Sequence, residues 1–95
     1  MTTVSAKLTF FIPHALTLKD KRQIARSLMD KARSRFNASV AEVDTLDLHQ
    51  TLTVGVAVVS GDLSHARRCM DEIIRFMEAH ANAELISCER DEAAL

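Results

Sequence analysis

Five polar side chains of this 95-residue chain could in principle bind a metal or move a proton: His14, Asp44, Asp47, His49 and His80. Imidazole and carboxylate together suit divalent transition metals. Their spacing does not support such a site, since no His-x-x-x-His pair occurs on any segment. Cys69 and Cys88 form no CxxC and have no third sulfur beside them, so they read as two reduced thiols of a cytoplasmic protein. No Ser or Cys occupies a recognisable nucleophile elbow, and two glycines cannot build a phosphate-cradling loop. The expectation is a non-enzymatic protein with no catalytic residues, no resident metal and no cofactor.

The second chemical capacity is positive charge. Lys19 to Arg35 holds seven basic residues against Asp20 and Asp30, a local +5, while the rest of the chain carries a local −6 and the whole chain −1. There is thus no global field to attract nucleic acid, but there is a local one. Lys19, Arg22, Arg26 and Arg33 can line one exposed helix face, flanked by Lys21, Lys31 and Arg35. Phosphate contact is assigned to Lys19, Lys21, Arg22, Arg26 and Arg33, with an affinity that falls steeply with salt. The plainer counterpart is a solvated amphipathic helix with an Arg26–Asp30 pair contributing about 0.2–0.5 kcal/mol.

The elements that must position these groups are legible. Val4, Ala6, Leu8, Phe10 and Ile12 alternate as a strand with one buried face, ended by Pro13. Thr17 with Asp20 fits a capping box and opens a helix running to about Arg35. Its apolar stripe is Leu18, Ala25, Leu28, Ala32 and Phe36, with Ile24 and Met29 beside it. A second strand covers Ala38 to Val43, and Asp44 to Gln50 is a polar hairpin connection. Leu52 to Val59 is a third strand, apolar on both faces. Asp62 caps a second helix from about Leu63 to Ala81, with Ala66, Cys69, Ile73, Phe76 and Met77 inward. Asn82 suits a left-handed stop. Ala83 to Arg90 is the last strand, and residues 91–95 are expected to fray.

Strand, helix, strand, strand, helix, strand is the ferredoxin-like β-α-β-β-α-β order. The fold expected is α+β: one domain over residues 1–95, with a four-stranded antiparallel sheet in the order 4-1-3-2 and two helices on one face. That topology gathers His14, Asp44, Asp47, His49 and His80 at one polar loop end and sends His65 to the other. It also leaves Phe11 on the outer sheet face beside the second face of strand three, an apolar patch that suggests a homodimer interface. Base stacking on the sheet is not expected, because Phe11 is the only aromatic offered there.

Several segments carry a resemblance in order along the chain. Leu16-Thr17-Leu18-Lys19-Asp20-Lys21-Arg22 resembles the Ser-Leu-Lys-Glu-Lys-Arg signature of the YlxP-like proteins, small bacterial proteins of unknown function. Arg35-Phe36-Asn37, then Ala41-Glu42-Val43-Asp44, then Asp47-Leu48 with Gln50, and Val54-Gly55-Val56-Ala57-Val58-Val59 resemble segments that follow it. His49 stands where those proteins commonly carry Trp, and Thr17 where they carry Ser. The resemblance implies a ferredoxin-like fold and genes that often lie near those for translation factors and ribosome maturation. It implies no activity.

Together these features predict a cytoplasmic, translation-associated accessory protein that contacts RNA or the ribosome through the basic face of helix one, with no role on DNA or membrane. The alternative is a homodimeric protein–protein interaction module with no nucleic-acid role.

Overall fold

The computed structural model describes residues 1–95 and has the predicted element order. Its elements are β1 (Thr2–Phe11), α1 (Leu18–Arg35), β2 (Ser39–Glu42), β3 (Thr51–Ser60), α2 (Leu63–His80) and β4 (Glu84–Ala94). The four strands form one antiparallel sheet in the order β2-β3-β1-β4. The ferredoxin-like topology is therefore as the sequence predicts, with the two most apolar strands central. Neither helix is long and apolar enough to cross a membrane.

Alternation along β1 and β3 puts Val4, Ala6, Leu8 and Phe10 opposite Val58, Val56, Val54 and Leu52, all buried on the helix side. Ala25, Leu28 and Ala32 of α1 and Ala66, Met70, Ile73 and Met77 of α2 close this core. Burial of each large aliphatic or aromatic side chain contributes about 1.5–3 kcal/mol. Met70 occupies the centre of the inner stripe of α2. Cys69 and Phe76, expected there, are only half-buried because they lie on its flank toward α1. Leu18 and Phe36 are likewise half-buried at the two ends of α1.

The caps follow their local chemistry. Thr17 Oγ1 accepts from the Asp20 N–H at 3.1 Å, while Asp20 Oδ2 accepts from the Leu16 N–H at 3.0 Å. Asp62 Oδ1 accepts from the Ser64 N–H at 3.1 Å. Asn82 takes the left-handed backbone expected of it, with φ 50°.

Two expectations are corrected. Residues 91–95 do not fray: β4 runs to Ala94, pairs with β1 as far as Thr2↔Ala94, and the Leu95 N–H donates to Met1 O at 2.8 Å. A long antiparallel ladder satisfies this backbone even though the side chains are almost all exposed. The outer sheet face is also not an apolar wall. It presents Gly55, Ala57 and Val59 of β3 beside Thr3, Ser5, Lys7 and Thr9 of β1, with Phe11 37% exposed at the end, while Thr53 is buried beneath Thr45. Val59 and Phe11 are the exposed large apolar side chains of the β1–β3 pair and stand at its opposite ends, with only Gly55, Ala57 and polar residues between them.

Candidate functional site

The main correction to the sequence-based site is Lys21. It is buried on the inner side of α1, and its ammonium donates to the carbonyls of Thr45 at 2.7 Å, Leu46 at 3.3 Å and Thr51 at 3.3 Å. Glu42 Oε2 lies 2.9 Å away. Three carbonyls use the three N–H bonds, so Glu42 is held chiefly by charge. Lys21 clamps the β2–β3 connection to α1 and cannot reach a phosphate.

The other predicted phosphate contacts, Lys19, Arg22, Arg26 and Arg33, are exposed on α1. Arg33 is partly engaged: it donates to the carbonyl of Val40 on the edge strand β2 and pairs with Asp30 at 3.4 Å. Asp30 thus meets Arg33, not Arg26. The twelve Lys and Arg side chains divide by layer. Lys7, Lys21, Arg33, Arg67 and Arg90 each have a carboxylate partner. The remaining seven, Lys19, Arg22, Arg26, Lys31, Arg35, Arg68 and Arg75, all lie on α1 or α2. The acids without a basic partner within ion-pair distance are divided: Asp20, Glu72 and Glu78 lie on the helices, Asp62 caps α2, and Asp47, Glu84, Glu89 and Asp91 belong to the sheet and its connections. The excess of free cations is on α1, where Lys19, Arg22, Arg26, Lys31 and Arg35 stand against Asp20, while on α2 Arg68 and Arg75 are balanced by Glu72 and Glu78.

A cluster that sequence reading missed lies in the same layer. Phe36, which caps α1, meets Phe76 of α2 edge-on, with ring centroids 5.4 Å apart and planes at 80°. His80 stacks on the other ring at 4.0 Å and 25°. The Arg35 guanidinium lies 5.2 Å from the Phe76 centroid and 5.8 Å from that of Phe36. His80 Nδ1 is 2.8 Å from the Phe76 carbonyl. A carbonyl only accepts, so Nδ1 carries a proton and Nε2 is left for another partner. Arg35, Phe36, Glu72, Arg75, Phe76 and His80 line a surface depression of about 780 Å³. The available signal was the i,i+4 spacing of Phe76 and His80 on the helix flank. The sequence pattern reads Phe76 as core.

The predicted polar loop end is brought together only in part. His14 and His80 line one depression of about 300 Å³ with Gln23, Ser27 and Lys31 in the seam between the helices. Asp44 instead turns to the outer sheet face, at φ 61°, and pairs with Lys7 at 2.8 Å. That hydrogen bond and charge, with Glu89 nearby, hold the Lys7 ammonium above its ordinary pKa. Asp47 and His49 are exposed in the β2–β3 connection. No three His, Cys, Asp or Glu side chains converge as a metal site would require. A third depression, of about 510 Å³, lies on the outer sheet face around Ser5, Lys7, Ala41, Gly55 and Glu89.

Comparison with known proteins agrees with this geometry in fold and is silent on activity. The uncharacterized protein YlxP of Bacillus subtilis (strain 168) is 24% identical over 79 residues, 83% of this chain and 86% of the relative. Among solved structures, a de novo designed protein with ferredoxin fold, LFR1 1, aligns over 100% of this chain and 88% of its own, with a TM-score of 0.59 and 16% identity. The crystal structure of an antibiotic biosynthesis monooxygenase aligns over 100% of this chain and 98% of its own, with a TM-score of 0.53 and 16% identity. At such identities the likeness to these two shows the fold alone. A sequence model described as "Protein of unknown function (DUF503)" matches residues 3–90, and the chain therefore belongs to the DUF503 family.

Proposed function

We propose that this protein is a non-enzymatic RNA-binding accessory that contacts phosphates through its helix layer. One observation carries the reading: all seven cations without a carboxylate partner lie on α1 or α2. Five of them lie on α1 against the single unpaired acid Asp20, and such a basic helix on a protein whose net charge is only −1 suits a polyanion rather than general solubility. The translation-linked setting implied by the family resemblance points that polyanion to RNA. Lys19, Arg22 and Arg26 supply the track on α1. Arg33 contributes through the part of its guanidinium that Val40 and Asp30 leave open, and Lys21 has no part in it.

The test is binding of a mixed RNA pool across a salt series. Binding should be weak and strongly salt-dependent. Arg22→Glu with Arg26→Glu should abolish it with the fold intact, because both side chains are exposed. Undiminished binding by the folded double variant overturns the proposal.

A second reading, homodimerisation, rests on a separate observation. Phe11, Leu16, Leu46, Leu48 and Ile86 are large apolar side chains left 37–75% exposed. All belong to the end of the molecule where β1 stops and β3 and β4 begin. A second copy covering that end would remove them from water.

A further inference from the structure

We infer that the Arg35–Phe36–Phe76–His80 cluster is a base-stacking subsite for an unpaired nucleotide of single-stranded RNA. The inference rests on the RNA reading above and deepens it, from phosphate contact alone to contact with bases.

Composition and placement come first. The chain has four aromatic residues, all Phe, and no Trp or Tyr. Phe10 is in the core and Phe11 is on the sheet. The remaining two lie together between the helices, packed against the core on one side and only partly buried on the other. Rings that only stabilised the fold would gain more by full burial.

Geometry comes next. His80 is exposed and lies flat on Phe76, 4.0 Å away, so imidazole and ring form a two-layer platform on the surface. The Nδ1 bond to the Phe76 carbonyl fixes that orientation and leaves Nε2 to a ligand. Arg35 stands over both Phe rings without a carboxylate partner, and Arg75 is also unpaired. Two arginines thus face one acid, Glu72, around a depression of about 780 Å³, which is in the size range of small-ligand sites. His80 also lines the adjoining depression that contains Lys31, so a cation for a neighbouring phosphate borders the platform.

Aromatic faces beside guanidinium groups are how proteins bind single strands without reading sequence, because every base has a π-face. A duplex hides its bases in the stack and offers the platform nothing. An acidic protein segment would use the arginines but not the rings.

The experiment uses the full chain and four probes over a salt series: a labelled single-stranded RNA of about ten nucleotides, an abasic ribose-phosphate oligomer of equal length, an RNA duplex and polyglutamate. The base-bearing strand should bind about tenfold more tightly than the abasic one, the scale of one stacked base. His80→Ala, at an exposed position, should remove most of that preference and leave the salt slope unchanged. Phe76→Leu, which keeps an apolar side chain against the core but removes the ring, should do the same where circular dichroism shows it folded. Equal binding of the base-bearing and abasic strands, with a salt slope still sensitive to Arg22→Glu and Arg26→Glu, overturns the subsite and leaves the phosphate reading standing. A preference for duplex, or a base preference that survives His80→Ala, also overturns the subsite. Polyglutamate matching RNA overturns both in favour of an acidic protein partner, and no binding to any probe overturns both outright.

Discussion

The ammonium of Lys21 lies 2.9 Å from Oε2 of Glu42, with both side chains withdrawn from solvent. This pair joins α1 to β2 and, through the carbonyls of Thr45, Leu46 and Thr51, fixes the connection that leads into β3. Removing one member of a buried pair leaves the other charge desolvated and costs about 3–5 kcal/mol. Lys21→Met should therefore destabilise the chain by that amount in urea denaturation. Lys21→Met with Glu42→Leu should cost less than the two single changes added together, because no charge is then stranded. A Lys21→Met variant as stable as the wild type would place this side chain in solvent.

The start of α1 gives a smaller effect. Thr17 Oγ1 satisfies the Asp20 N–H, one of the orphan donors of the first turn. Thr17→Ala should cost about 1 kcal/mol and Thr17→Ser almost nothing. Equal stability of the Ala and Ser variants in thermal or urea unfolding would move the functional cap away from Thr17.

Acid should loosen β4 before the core. Arg67 donates twice to Glu92, each time at 2.7 Å, and Arg90 donates to Asp71. The hydrogen bond from Arg90 holds the Asp71 carboxyl below its ordinary 3.8, and the one from Arg67 holds Glu92 below 4.5. A carboxyl depressed in the folded state contributes stability above its unfolded pKa and loses it as pH falls through the folded one. These pairs are exposed and screened by salt, so the effect is local. Amide exchange along β4 should accelerate relative to β3 as pH is lowered below about 4.5, after correction for intrinsic exchange. Glu92→Gln should remove part of that pH dependence. The same profile in wild type and variant would show that these pairs do not tether the strand.

Self-association is testable at Phe11. The side chain is 37% exposed at the end of β1 that also carries exposed Leu16, Leu46, Leu48 and Ile86. If a second copy covers this end, light scattering should show a dimer at micromolar concentration, and Phe11→Glu should return it to monomer. A carboxylate cannot be buried there without a partner. A wild-type monomer at high concentration ends the dimer reading and leaves the RNA reading untouched.

Local rules made most of the fold legible. Alternation from Val4 to Phe10, a cap at Thr17, a cap at Asp62 and a left-handed stop at Asn82 each depend on neighbours within a few residues, and each occurs where the sequence placed it. The basic character of α1 was equally plain. Tertiary structure decided the rest. Lys21 lies on the same stripe as Ala25, Leu28 and Ala32, but only the carbonyls and carboxylate arriving from residues 42–51 make burial of an ammonium tolerable. β4 continues past Arg90 because β1 offers a ladder as far as Thr2, and an exposed, charged sequence does not announce that partner. Phe36 and Phe76 became a surface cluster because the two helices meet near them, forty residues apart in the chain. Sequence alone determined which groups are apolar, charged or capping, because those properties are local. Which charges are neutralised and which aromatics face water depended on contacts between distant segments, and only the folded chain contains those.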